Sequence, residues 1–335
     1  MKKCTQQGCP YTPERPDCIE GKADCPHLVE AVDDAKLGQT KVIGGGDSLR
    51  ADIVAKTFHT GEKLSADEAS TVLHENPTSV VLCVGATGSG KTTFLARIGE
   101  LFREGAMSAW RFAGSLTLCG FERASWRATL VSGAIVPDTR RTDRWENDTF
   151  LHLCANAVEG GKWTSRHILI SDLSGESFPD AVSSQDFCRS LCSLQRADTL
   201  VVFADSKQLV DTVQRHAETD NVIKFLQQVE SSVPNARALR VQVVFSRWDY
   251  AISVDEHLVN ERYCEEFERD LQTRFEGRFE QFDISRVAAR PRVGEPTDDI
   301  IRQIFSRWMV PLKGHPIDPI GEISHARDFS AYLRP

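Results

Sequence analysis

The run Gly85-Ala86-Thr87-Gly88-Ser89-Gly90-Lys91-Thr92 restricts what this chain can fold into more than any other stretch. It completes the pattern G-x-x-x-x-G-K-[ST], which requires a strand before it and a helix after it. Both are legible. Residues 79–84 (SVVLCV) are short, apolar and β-branched, and an amphipathic helical period runs over about 91–103. In that setting glycines let backbone N–H groups curl around the β- and γ-phosphates of a nucleotide, and the helix N-terminus adds its positive dipole. The gripping segment is expected to run from Gly85 to Thr93, with Lys91 bridging the two phosphates and the Thr92 hydroxyl on Mg2+.

After this loop the pattern alternates strand and helix almost to the end. Apolar runs at 167–171 (HILIS), 199–204 (TLVVFA) and 241–245 (VQVVF) read as central parallel strands. Helical periods occupy about 185–196, 207–230, 255–276 and 298–309, and two less regular runs, 111–121 and 149–157, read as additional strands. The expected fold is therefore α/β, a mostly parallel sheet with helices on both faces. Upstream, Leu64 to His74 reads as a helix capped by Ser65, with Glu68 completing a capping box and Pro77 ending it. The expected organisation is a Cys-rich arm at 1–30, a linker and helix at 31–78, the nucleotide-binding domain at 79–312 and a tail at 313–335.

Charge narrows the partners. The net charge of -8 over 335 residues offers no general attraction to nucleic acid or anionic lipid, so nucleic acid is not expected and the partners are small molecules and proteins. The basic start, Met1-Lys2-Lys3, is followed by Cys, Pro and charge where a signal peptide needs an apolar run. No stretch approaches the roughly 20 apolar residues of a membrane span. A cytoplasmic setting is expected.

Three further segments bear on the nucleotide. Asp172-Leu173-Ser174-Gly175-Glu176 follows the strand HILIS and matches D-x-x-G, where Asp172 would hold Mg2+ through water and the Gly175 N–H would sense the γ-phosphate. Ser246-Arg247-Trp248-Asp249 follows VQVVF as a degenerate form of N-K-x-D or T-K-x-D. Its Asp249 can accept the guanine N1–H and 2-amino group, a pattern adenine cannot supply, and Arg247 can lay its guanidinium plane along the base. Ile284 to Ala289 reads as a strand running into a small-residue base loop, with Ala288 as its contact to the base.

With these segments in order, the chain resembles a TRAFAC-class, Ras-like GTPase. More narrowly, it is similar to the bacterial double-GTPase families of conflict and defence gene neighbourhoods, on Phe112 to Leu118, Gly120-Phe121-Glu122, Arg141-Thr142 and Ser171 to Glu176. The resemblance covers roughly 79–310 and implies GTP and GDP as ligands, Mg2+ as cofactor and protein effectors as partners. It also implies a switch segment within 137–144, where Thr142 is preferred to Thr139 as a Mg2+ ligand. Arg140 or Arg141 there serves as a built-in arginine finger or belongs to a solvated basic loop. The segment between Lys91 and Asp172 is about twice as long as in a minimal Ras-like domain, and Glu176 stands where such enzymes carry the water-orienting Gln. An ionised carboxylate cannot donate to the attacking water, so slow intrinsic hydrolysis is expected. An ATP-dependent P-loop protein and a hydrolysis-deficient nucleotide-binding subunit remain as alternatives.

Cys4, Cys9, Cys18 and Cys25, with His27 behind them, crowd the N-terminal residues. Thiolates at that density favour a structural Zn2+ over disulfides in a reducing compartment, with redox chemistry and an unligated arm as the other readings. The remaining six cysteines sit singly in apolar or helical contexts and read as small buried hydrophobes.

Overall fold

The computed structural model describes residues 2–4, 28–30, 59–129, 132, 148–159, 162–252, 257–292, 294 and 296–310. Two compact units emerge, Met1–Thr57 and Phe58–Pro335. In the first, β1 (Lys2–Cys4) pairs antiparallel with β2 (Leu28–Glu30), Cys4 lying opposite Leu28. Three-residue strands are too short to show an alternating pattern, which is why none is visible in the sequence there.

The second unit begins with residues that the sequence assigns to a linker. Leu64 exchanges two backbone hydrogen bonds with Phe150 at 2.8 and 2.9 Å, and α1 (Ala66–Glu75) follows. Its capping box forms as the sequence predicts: the Ser65 hydroxyl accepts the Glu68 N–H, and the Glu68 carboxylate accepts the Ser65 N–H at 2.8 Å. Leu64, Ala69 and Val72 pack with Val80, Phe150 and Leu169, so α1 is seated on one face of the sheet.

The chain then runs β3 (Thr78–Val84), α2 (Lys91–Arg103), β4 (Arg111–Gly114), α3 (Leu118–Ser125), β5 (Phe150–Glu159) and β6 (Lys162–Asp172). It continues through α4 (Phe178–Ser183), α5 (Gln185–Ser190), α6 (Cys192–Arg196), β7 (Thr199–Asp205), α7 (Ser206–Val210) and α8 (Arg215–Ser232). Last come β8 (Arg240–Ser246), α9 (Asp249–Ile252), α10 (His257–Phe275), β9 (Gln281–Arg286) and α11 (Asp298–Trp308). One seven-stranded sheet has the order β4-β5-β6-β3-β7-β8-β9. The five strands from β6 to β9 are parallel, whereas β5 is antiparallel to both β6 and β4. Every residue of β7 and β8 is buried, as continuous apolar runs covered on both faces must be.

Two hydrophobic layers do the covering. On one face Leu82, Val202, Phe225, Val243 and Phe245 pack with α4 to α8 and α10; on the other Val81, Phe94, Ile98, Phe203, Phe305 and Trp308 bring α2 and α11 together. Arg97 of α2 clamps Asp298 of α11 through two hydrogen bonds of 2.8 and 2.7 Å, a bidentate geometry that fixes the last helix beside the first one after the phosphate loop.

Four boundaries differ from the sequence reading. Only the first part of 111–121 is a strand, because Phe121 turns inward against Gly99 of α2 and α3 forms instead. The helix expected over 185–196 breaks at Leu191, which is extended. The one expected over 207–230 breaks at Asp211, whose carboxylate takes the N–H groups of Val213 and Gln214 at 2.8 and 3.3 Å and so competes with the helical bonds. The period over 255–276 settles into α10 with the separate turn α9 ahead of it.

Candidate nucleotide site

The C-terminal ends of the parallel strands meet at one edge of the sheet, where ligands bind in open α/β folds. Val84 leads into the glycine loop, Asp172 ends β6 beside Cys83, and Asp205 and Ser246 end β7 and β8 as a register pair. The loop then turns into α2 through Gly90 at φ 88°, a left-handed conformation that a side chain would strain.

Lys91 is 7% exposed, and its ammonium donates to the carbonyls of Gly85 at 3.0 Å and Ala86 at 3.4 Å. Among the described residues no carboxylate pairs with it. A buried cation held only by carbonyls at the mouth of a glycine loop suits an anionic ligand. Next to it the Thr92 hydroxyl faces the Asp172 carboxylate, Oγ1 to Oδ2 3.3 Å. This pairing of hard oxygen donors fits Mg2+, which takes few protein ligands beside phosphate oxygens. Gly175 closes that side: a Cβ there would stand 2.5 Å from Cα and 2.6 Å from the amide nitrogen of Thr87. The D-x-x-G segment thus lies directly against the phosphate loop, in contact that only glycine permits. Glu176 is exposed, and its backbone N–H donates to the Ser174 hydroxyl at 3.3 Å.

On the opposite side a cavity of about 620 Å³ is lined by Gly88 to Phe94, Ser246, Arg247, Asp249, Tyr250 and residues 289–292, among others. Ser246 donates to the carbonyl of Ser89 at 2.6 Å, joining the two loops. Asp249 is 5% exposed, and its Oδ2 accepts the Arg292 N–H at 3.2 Å. The Arg292 guanidinium lies 3.8 Å from the centre of the Tyr250 ring, a cation–π contact on the cavity wall.

Two of the residues expected at the base are held by protein partners. Arg247 lines the cavity and pairs with Asp205. It adopts φ 51° and turns its fork onto Asp205, Nε to Oδ1 2.7 Å, which leaves its aliphatic stem near Gly90. Ala288 is buried, and its N–H donates to the Thr297 hydroxyl at 2.9 Å, while its neighbours Val287 and Ala289 line the cavity. Tyr250, Arg292 and Asp205 were not visible in the sequence as site residues, because nothing in their local pattern marks them.

Thr139, Arg140, Arg141 and Thr142 lie outside the described residues, as do Cys9, Cys18 and Cys25; Cys4 ends β1. Among the described residues no cluster of three or more His, Cys, Asp or Glu side chains is arranged to hold a metal ion, and no helix is long and apolar enough to cross a membrane.

Solved structures to which this chain shows similarity include the signal recognition particle receptor SRb-GTP/SRX complex from Chaetomium thermophilum. It shares 16% identity over 69% of this chain and 98% of that one, with a TM-score of 0.36. The GTP-bound GTPase-like domain of S. cerevisiae Ski7 shares 14% identity over 74% of this chain and 54% of that one, with a TM-score of 0.38. Sup35 complexed with GMPPNP shares 13% over 64% and 38%, with a TM-score of 0.30. A comparison with curated protein sequences gives no match. A comparison with protein families matches residues 79–309, the whole span from β3 to α11, and on that match the chain belongs to the family Double-GTPase 2.

Proposed function

We propose that this protein binds GTP with Mg2+, hydrolyses it slowly, and uses the difference between the GTP and GDP forms to control protein partners. The observation that carries this reading is the contact of Gly175 with Thr87 beside Lys91, Thr92 and Asp172, because a glycine so close to that loop could sense a γ-phosphate bound there. In this reading Lys91 moves from the carbonyls of Gly85 and Ala86 to the β- and γ-phosphates. Thr92 and Asp172 hold the Mg2+, which neutralises charge on the triphosphate. Asp249 accepts the guanine N1–H and 2-amino group, and Arg292 keeps its carboxylate oriented.

A γ-phosphate entering beside Thr87 displaces or reorders the segment that starts at Gly175, which couples nucleotide state to partner surfaces. Glu176 cannot donate to an attacking water when ionised, so hydrolysis depends on Arg140 or Arg141, with Thr142 as the Mg2+ ligand of the GTP form, or on a partner. The resemblance to conflict-associated families makes bacterial defence part of the same proposal.

Titration with fluorescent GTP and ATP, followed by single-turnover hydrolysis, tests the core of this reading. GTP should bind at least tenfold more tightly than ATP. Asp249→Asn should shift preference toward xanthosine triphosphate, whose 2-oxo group suits an amide in place of a carboxylate. Equal affinity for GTP and ATP refutes the guanine assignment, and unassisted hydrolysis at several turnovers per second refutes the slow switch. Identical partner sets captured by the GTP-locked and GDP forms would remove the partner-control role.

A further inference from the structure

Asp205 sits at the end of β7 with no exposed surface. Its carboxylate receives the Lys207 N–H at 3.0 Å, the Gln208 side-chain amide at 3.2 Å and the forked guanidinium of Arg247, whose Nε lies at 2.7 Å and whose Nη2 also contacts it. Its own N–H donates to the Glu218 carboxylate at 2.7 Å, which fixes the backbone from the side of α8. A buried carboxylate needs a paired cation, and Arg247 is the cation this one has.

Arg247 in turn holds an unusual backbone. Its φ of 51° is one of two positive values among the described non-glycine residues, and a long side chain occupies that region only when its surroundings over-determine it. The fork on Asp205 supplies that determination. The same turn places the Arg247 stem beside Gly90, where a Cβ on the glycine would stand 3.8 Å from Cγ, and brings the Ser246 hydroxyl to the Ser89 carbonyl. A residue at the end of a third strand thus pairs with the turn that carries the contacts between the loop after β8 and the glycine loop.

We propose that Asp205 is the positioning residue of the base site, holding Arg247 in its left-handed turn so that the base loop and the phosphate loop stand at the separation a nucleoside triphosphate requires. The consequence is preorganisation: with the loops already in place, binding does not have to order them. Because Arg247 and Ser246 carry the effect, it falls on every purine nucleotide alike, whereas Asp249 discriminates between bases. This inference rests on the guanine-nucleotide reading and is separable from it.

The test is a double-mutant cycle on affinity for GTP and for inosine triphosphate, which lacks the 2-amino group. Asp205→Asn keeps the shape and the acceptor for Lys207 but removes the charge. It should weaken GTP at least tenfold, chiefly through faster release, and weaken inosine triphosphate by the same factor. Arg247→Gln should do likewise, and the double variant should lose no more than either single one. Unchanged GTP affinity in folded Asp205→Asn overturns the proposal. So does a changed ratio of the two affinities, which would mean action through Asp249, and so do losses that simply add. Should Asp205→Asn fail to fold, Arg247→Gln alone carries the test, and its GTP affinity matching the wild type overturns the idea. Failure of the guanine reading itself would show separately, as a wild-type protein that binds ATP as tightly as GTP.

Discussion

Ser246 reaches across 157 positions of sequence to donate its hydroxyl to the carbonyl of Ser89 at 2.6 Å, and this bond ties the end of β8 to the middle of the phosphate loop. Where related GTPase motifs carry Asn or Thr, the short Ser side chain still spans the gap. Both atoms are buried, so the bond does not compete with water.

Ser246→Ala tests that tie. Loss of one buried neutral hydrogen bond costs about 1 kcal/mol, or roughly a fivefold change in an equilibrium constant. Release of fluorescent GDP should quicken by about that factor in stopped flow, with melting temperature changing by only a few degrees. A release rate equal to the wild type would mean that the contact with Arg247 alone sets the loop spacing.

The contact between Gly175 and Thr87 predicts a sharper outcome. Gly175→Ala places a methyl group 2.5 Å from Thr87 Cα, and backbone on both sides leaves it nowhere to go. The D-x-x-G segment must retreat from the phosphate loop. GDP affinity should stay within about twofold, while single-turnover GTP hydrolysis falls by at least about tenfold, an order of magnitude equivalent to about 1.4 kcal/mol in the barrier. Equal loss of GDP and GTP binding would point to a collapsed loop.

Two buried groups give stability opposite pH dependences. Burial, with the neighbouring His167 and His59, pushes His152 down to about 4, and its Nδ1 accepts the Leu116 N–H at 3.0 Å. That depressed value keeps the ring neutral in the folded chain, so its contribution is complete above the unfolded value of about 6.5 and is lost as pH falls toward 4. Burial pushes Glu218 the other way, up to about 7. The folded state then holds a proton that the unfolded state releases, and stability is lost as pH rises from about 4.5 through 7. Melting curves from pH 4 to 8 should therefore show His152→Gln flattening the acid limb. Glu218→Gln should raise the melting temperature at pH 8 relative to wild type and have little effect at pH 4.5. Parallel pH profiles for all three proteins would contradict both assignments.

What the chain reveals locally it reveals well. The glycine loop, the strands beside it and the Ser65–Glu68 cap each depend on residues a few positions apart, so their physics is contained in a short window. The match to Double-GTPase 2 over 79–309 spans the glycine loop and the sheet strands, but not that cap. The segments that went differently are those where a neighbour in space overrides local preference. Residues 118–125 coil because Phe121 finds the bare face of α2 at Gly99, and the helix after 207 stops because Asp211 captures backbone N–H groups that the helix would otherwise use.

Sequence alone marked Lys91, Thr92, Asp172 and Gly175 by type and spacing, and the fold brings them together around the glycine loop. Only the tertiary structure decided the loops that follow β8 and β9. There Arg247 swings to Asp205, Ala288 turns inward to Thr297, and Arg292 comes over Tyr250 and onto Asp249. Each of those choices is a contest between burial, charge pairing and backbone conformation among residues up to 43 positions apart. A linear pattern records which groups compete, and the packed sheet decides which of them meet.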